Sequence, residues 1–162
     1  MPRQRIYVET TIPSAYYTSR PGPDMARRRD ATRRWWSEAQ ATCELVSSVI
    51  VLRELKDGTS EHVPRRLSLV QDLDLLDLTD AVNATASVYM KRKLMPLDPP
   101  SDALHLALAS HYNCDALVTW NYKHLANANK LRHIRLVNAQ LGLSVPIITT
   151  PSELLGEDHG RL

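Results

Sequence analysis

Short runs of apolar, β-branched residues recur along the chain, each followed by a segment with helical spacing. The runs are Ile6-Tyr7-Val8, Leu45-Val46, Leu75-Leu76, Ala116-Leu117-Val118 and Val145-Pro146-Ile147-Ile148. They are too short and too uniformly apolar for half-exposed antiparallel strands, which alternate apolar and polar residues. Strands of this kind are buried on both faces. Helices between successive strands then supply crossovers for a mainly parallel sheet, the α/β class. Helices are predicted at Asp24–Cys43, Val49–Lys56, Glu61–Leu73, Asp80–Lys93, Asp102–His111 and somewhere between His124 and Leu141, where Ile134–Val137 could instead be a strand. Thr10 or Thr11, Thr79 or Asp80, and Ser101 are expected helix caps.

At 162 residues the chain suits a single domain, read here as 1–155 with a polar tail at 156–162. No apolar run approaches the roughly 20 residues of a membrane span, and the N-terminus lacks the apolar core of a secretory signal. Two cysteines, Cys43 and Cys114, make neither a disulfide framework nor a zinc pattern and read as small buried residues. A cytoplasmic protein without membrane contact is expected. The net charge of +2 does not by itself argue for nucleic acid, but Arg20–Arg34 holds six arginines against Asp24 and Asp30. That stretch can grip phosphates or be a solvated helix face. Trp35 and Trp36 lie about 100° apart on a helix, so one of them is expected at the surface, in a dimer or partner interface.

In open α/β sheets, ligands gather at the carboxyl ends of the strands. Glu9 ends the first strand, Glu54 lies on the helix after the second, Asp102 opens a helix after a proline-rich turn, and Asn121 follows the fourth strand. Taken singly, Glu9 and Asp102 can be helix-terminus acids, and Glu54 can pair with a neighbouring base on its own helix. Taken together, they place three carboxylates and an amide at one sheet edge. A hard divalent ion offsets the repulsion of such a cluster, and a water bound to it becomes able to attack a phosphodiester. His105, three residues after Asp102, reads as a packed or surface histidine, and His62, His111, His133 and His159 as surface residues. Asp72, Asp74, Asp77 and Asp80 read as solvent-facing. No phosphate-binding Gly-x-x-x-x-Gly-Lys-Ser/Thr segment occurs, and Thr149-Thr150-Pro151 lacks the late-strand lysine a receiver domain needs.

Four segments resemble the PIN-domain family, and within it the VapC-type toxins of bacterial toxin–antitoxin pairs. They are Ile6-Tyr7-Val8-Glu9-Thr10-Thr11, Val51-Leu52-Arg53-Glu54-Leu55-Lys56-Asp57-Gly58, Ser101-Asp102-Ala103-Leu104-His105-Leu106-Ala107-Leu108-Ala109 and Leu117-Val118-Thr119-Trp120-Asn121-Tyr122-Lys123-His124-Leu125-Ala126-Asn127. The resemblance implies a three-layer α/β/α fold and a Mg²⁺- or Mn²⁺-dependent endoribonuclease, the toxin of a type II pair. It implies Glu9, Glu54 and Asp102 as metal ligands, and Asn121 at a position that is often a fourth acid. Thr11 and Thr119 are implied as supporting hydroxyls. An RNA substrate, a cognate antitoxin protein and a homodimer are the implied partners. His124, Lys123, Arg27 and Arg28 are candidate RNA contacts. This chain has Glu9 where the family usually has Asp, and Asn121 adds no charge. Those departures motivate the alternative: a PIN-like module that binds RNA or protein with weakened or no catalysis.

Overall fold

The computed structural model describes residues 2–97, 100–125 and 127–156. Five strands form one sheet: β1 (Arg5–Val8), β2 (Glu44–Ser48), β3 (Asp74–Leu76), β4 (Ala116–Val118) and β5 (Ile147–Thr149). Their order is β3-β2-β1-β4-β5, and every neighbouring pair is parallel. The helices are α1 (Thr11–Tyr16), α2 (Pro23–Thr42), α3 (Val49–Lys56), α4 (Val63–Val70), α5 (Asp80–Lys91), α6 (Ser101–His111), α7 (Tyr122–Leu125), α8 (Ala128–Leu141) and α9 (Pro151–Leu154). The expected α/β/α architecture with a parallel sheet is what the chain adopts.

Topology fixes where a ligand can enter. The chain steps from β1 to β2 to β3 in one direction, then crosses β1 to reach β4 and β5. Parallel crossovers are right-handed almost without exception, so α1–α4 cover one face and α5, α6 and α8 the other. The packing agrees. On one side α1 contacts α2 and α4, and α3 contacts α4. On the other, α5 packs on α6, and Tyr89, Ser110 and Asn138 join α5, α6 and α8 through buried hydrogen bonds. The direction reverses between β1 and β4, and there the connections diverge and leave a crevice at the carboxyl ends. Glu9 and Thr119 are the first residues past those two strands.

Local signals explain most boundaries. Ser48 and Thr79 cap α3 and α5, accepting from the Val51 and Val82 amides. Asn127 caps α8, and Gly142 ends it in the left-handed conformation at φ 72°. Ile134–Val137 therefore lies inside a continuous helix, and the strand alternative for it is wrong. Ser101 is not a cap: it is the first residue of α6, and Pro100 precedes it. Thr10 stands at the N-cap position of α1, but its side chain makes no cap bond; its hydroxyl goes to Glu54 instead. Both Trp35 and Trp36 are buried. The expectation of one exposed tryptophan assumed one packed face, whereas α2 touches α1, β2 and α9. Trp36 lies edge-on to Tyr16 of α1. Cys114 is buried and Cys43 half-buried. His111 is half-buried and bonded to Thr85, so it is not a plain surface residue. Asp72, Asp74, Asp77 and Asp80 are exposed as expected. The tail and His159 lie outside the described residues apart from Gly156. Among the described residues no helix is long and apolar enough to cross a membrane.

Candidate active site

A cleft of about 520 Å³ opens at the carboxyl edge of the sheet, and Glu9, Glu54, Asp102 and Asn121 all line it. Four segments that are distant in sequence thus deliver their polar side chains to one place. Asp115, at the opposite end of β4, instead accepts the Arg5 amide where β1 begins.

Glu9 is 4% exposed. Burial of a carboxylate is costly unless it is hydrogen-bonded, and here one oxygen takes three donors. Glu9 Oε1 accepts from the Thr11 amide (2.9 Å), the Thr11 hydroxyl and the Thr119 hydroxyl (2.7 Å). Each threonine is held in turn: Thr11 Oγ1 accepts from the Trp120 amide (2.8 Å) and Thr119 Oγ1 from the Asn121 amide (2.9 Å). The two threonines therefore lock the loop after β4 onto the loop after β1, and both expected supporting residues contact Glu9.

Glu54 sits on α3, half-buried, and its Oε1 accepts from Thr10 Oγ1 (2.8 Å) and contacts His105 Nε2 (2.7 Å). His105 is buried on α6, one turn beyond Asp102 on the same helix face. Its Nδ1 meets the Tyr7 hydroxyl at 2.7 Å, and that hydroxyl meets Ser48 Oγ at 2.8 Å. A buried line thus runs from the α3 cap through the central strand and α6 to a site carboxylate. Burial pushes Glu54 upward, but hydrogen bonding and charge from His105, with hydroxyls from Thr10 and Ser101, outweigh it and hold the carboxyl below its ordinary range. Burial likewise pushes His105 down, and its bond to Glu54 with the charges of Glu9, Glu54 and Asp102 raises it overall. The Tyr7 hydroxyl is raised well above its usual value by burial. The sequence offered no sign of Tyr7 as a site residue, and a histidine on an apolar helix face gave no hint of a partner on another helix.

Glu9, Glu54 and Asp102 offer carboxylate oxygens to this cleft and Asn121 an amide oxygen, a donor set that suits a hard cation such as Mg²⁺ or Mn²⁺. Among the described residues, no three His, Cys, Asp or Glu side chains close around a single point to form a metal cage. Such a cage is not what Mg²⁺ requires, since it keeps several waters and usually takes one or two carboxylates. The bonds to Glu9 and Glu54 fall on the Oε1 atoms, so each acid retains an oxygen without a bond to these partners. The donor set fits a hydrated divalent ion.

Basic groups flank the acids. A second depression, of about 470 Å³, is lined by Arg27, Arg28, Lys123 and His124, and shares Asn121 and His124 with the acidic cleft. The four candidate RNA contacts therefore share one surface. Arg28 also stacks on Trp120, its guanidinium carbon 5.5 Å from the ring centre, and the Trp120 indole donates to Thr32 of α2 at 2.9 Å.

A family profile for the PIN domain matches residues 6–131, from β1 into α8. The chain belongs to the PIN domain family. Two solved structures resemble this PIN domain across nearly their whole length. One is the VapBC2 complex from Rickettsia felis bound to a DNA fragment from its promoter, with a TM-score of 0.58 and 17% identity over 91% of this chain and 98% of that one. The other is FitAcB from Neisseria gonorrhoeae, with a TM-score of 0.55 and 12% identity over 90% of this chain and 97% of that one. At these identities the likeness concerns the fold. No curated protein matches the sequence.

Proposed function

We propose that this PIN domain is a divalent-metal-dependent endoribonuclease acting as the toxin of a type II toxin–antitoxin pair in the cytoplasm. The observation that carries the reading is the convergence of Glu9, Glu54 and Asp102 on one cleft at the switch point of a parallel sheet. Membership in the PIN family and likeness to structures titled VapBC2 and FitAcB support it. The antitoxin, a homodimeric state and folding of 1–155 as one unit belong to the same proposal.

Glu9, Glu54 and Asp102 would hold Mg²⁺ or Mn²⁺, with the Asn121 amide beside them. Bound there, the ion supplies a more acidic water and screens the charge of the phosphate under attack. The chain's own residues do the positioning. Thr11 and Thr119 fix Glu9. His105 and Thr10 fix Glu54, so these carboxylates need little reorganisation to meet a cation. Arg27, Arg28, Lys123 and His124 receive strand phosphates, which position the chain without reading its sequence.

The test is cleavage of a structured RNA pool with Mg²⁺, with Mn²⁺ and with EDTA, using the wild type and Asp102→Asn prepared identically. Metal-dependent cutting that Asp102→Asn loses is the expected result. Cutting that the variant retains would contradict the assignment of the site. RNA binding by both folded proteins, with no cutting under any metal, would favour the non-catalytic binding module.

A further inference from the structure

A third depression, of about 330 Å³, opens on the α1 side of the acidic cleft, and Arg20, Arg28 and Arg66 line it. It shares Thr11, Ser14 and Asn121 with that cleft, so the two are neighbouring compartments of one groove. Among the described residues no carboxylate lines it, and none pairs with Arg20 or Arg66. Arg28 has only a long contact to Asp24 (3.8 Å), an exposed acid also bonded to Arg27.

Arg66 reaches out of α4, and its Nη2 donates to the Ser14 and Tyr17 carbonyls at 3.2 and 2.8 Å. Its Nε is buried and has no partner. An unpaired buried donor on a cation is costly, and burial together with the nearby charge of Arg20 pulls its affinity for a proton down. Three like charges around one concavity, with no carboxylate among the described lining residues, form a site suited to an anion. Guanidinium forks match phosphate oxygens in geometry as well as charge.

We propose that this pocket binds the backbone phosphate next to the one being cut, with Arg20, Arg28 and Arg66 as its donors. The proposal rests on the nuclease reading of the acidic cleft and adds a subsite to it. A strand is the occupant because the pocket is continuous with the cleft through Thr11 and Asn121. A chain with one phosphate at the acids runs its neighbour past these arginines.

The experiment measures binding rather than cutting. Asp102→Asn protein is titrated with a fluorescent single-stranded RNA 12-mer of mixed sequence in Mg²⁺, from 50 to 200 mM salt. Arg20→Gln and Arg66→Gln are added singly, and Arg132→Gln, at an exposed position of α8, serves as control. For single strands each phosphate contact contributes about 0.7 to the slope of log K against log salt. Arg20→Gln, an exposed position that leaves the core untouched, is expected to lower the slope by about that amount and to weaken binding several-fold, while Arg132→Gln leaves both unchanged. Arg66→Gln is compared only after its melting curve shows a folded protein. Unchanged slope and affinity in Arg20→Gln overturn the proposal and leave the pocket to an acidic side chain of a protein partner. If the slope falls but wild-type protein cuts no RNA, the phosphate site stands and the nuclease reading fails; if RNA is cut but the slope is unchanged, the reverse holds.

Discussion

Replacing Thr119 with valine removes one hydroxyl and almost nothing else, because the two side chains have the same shape. Thr119 is fully buried. Its Oγ1 donates to Glu9 Oε1 at 2.7 Å and accepts from the Asn121 amide at 2.9 Å. The bond to the carboxylate is charge-assisted, worth about 1.5–3 kcal/mol. The Asn121 amide loses its acceptor, costing about 1 kcal/mol because that residue is half-exposed and water reaches it. The added methyl returns roughly 0.8 kcal/mol through burial. The expected net loss is about 2–3 kcal/mol. With a urea dependence of about 2 kcal/mol per molar, the midpoint falls by roughly 1 M or more. The assay is urea unfolding in EDTA, extended to a double-mutant cycle with Glu9→Gln. Because the hydroxyl serves the charged carboxylate, the two substitutions should couple by about 1 kcal/mol or more. A midpoint shift under about 0.3 M, or strict additivity with Glu9→Gln, would refute the claim that Thr119 holds Glu9 through this bond.

Stability should also depend on pH through His105 and Glu54. His105 is raised above its ordinary 6.5, so its contribution is complete below that value and fades as pH rises through the folded one. Glu54 is lowered from 4.5, so its contribution is complete above that value and fades as pH falls through the folded one. The stability gap between wild type and Glu54→Gln in EDTA should therefore be widest between about pH 4.5 and 6.5; a gap still growing above pH 8 would contradict this. Burial pushes the Cys114 thiol up to about 12, so a thiol reagent at pH 8 should label Cys43 in the native protein and Cys114 only in denaturant. Gly142→Ala forces a Cβ into φ 72° with open space around it, so the cost is purely backbone, about 1–2 kcal/mol and a melting point lower by roughly 2–8 °C.

The sheet and the candidate cleft at its carboxyl edge were legible because Glu9 and Asn121 come just after apolar runs that read as buried strands, while Glu54 lies on the helix after β2 and Asp102 opens α6 after a proline-rich turn. Glu9 after Ile6-Tyr7-Val8 and Asn121 after Leu117-Val118 announce a strand end by polarity alone. What stayed hidden depends on partners that sequence spacing does not encode. His105 looked like packing because its partners are 51 and 98 residues away. Trp36 looked exposable because a periodicity argument sees one face, while α2 is enclosed by α1, β2 and α9. Ile134–Val137 looked extended because β-branched residues favour strands, yet a cap at Asn127 and a stop at Gly142 override that preference. Arg66 went unnoticed because Arg20 and Arg28, which line the same pocket, are 46 and 38 residues away in sequence.

Locating a bound metal tests the proposed divalent-metal centre of Glu9, Glu54 and Asp102 without relying on activity. Crystals of the wild type and of Asp102→Asn, soaked in Mn²⁺, would be measured for anomalous scattering. A peak within ligand distance of these carboxylates is expected in the wild type, weakened or lost in Asp102→Asn. A fully occupied Mn²⁺ elsewhere, with this cleft empty in the wild type, would contradict it.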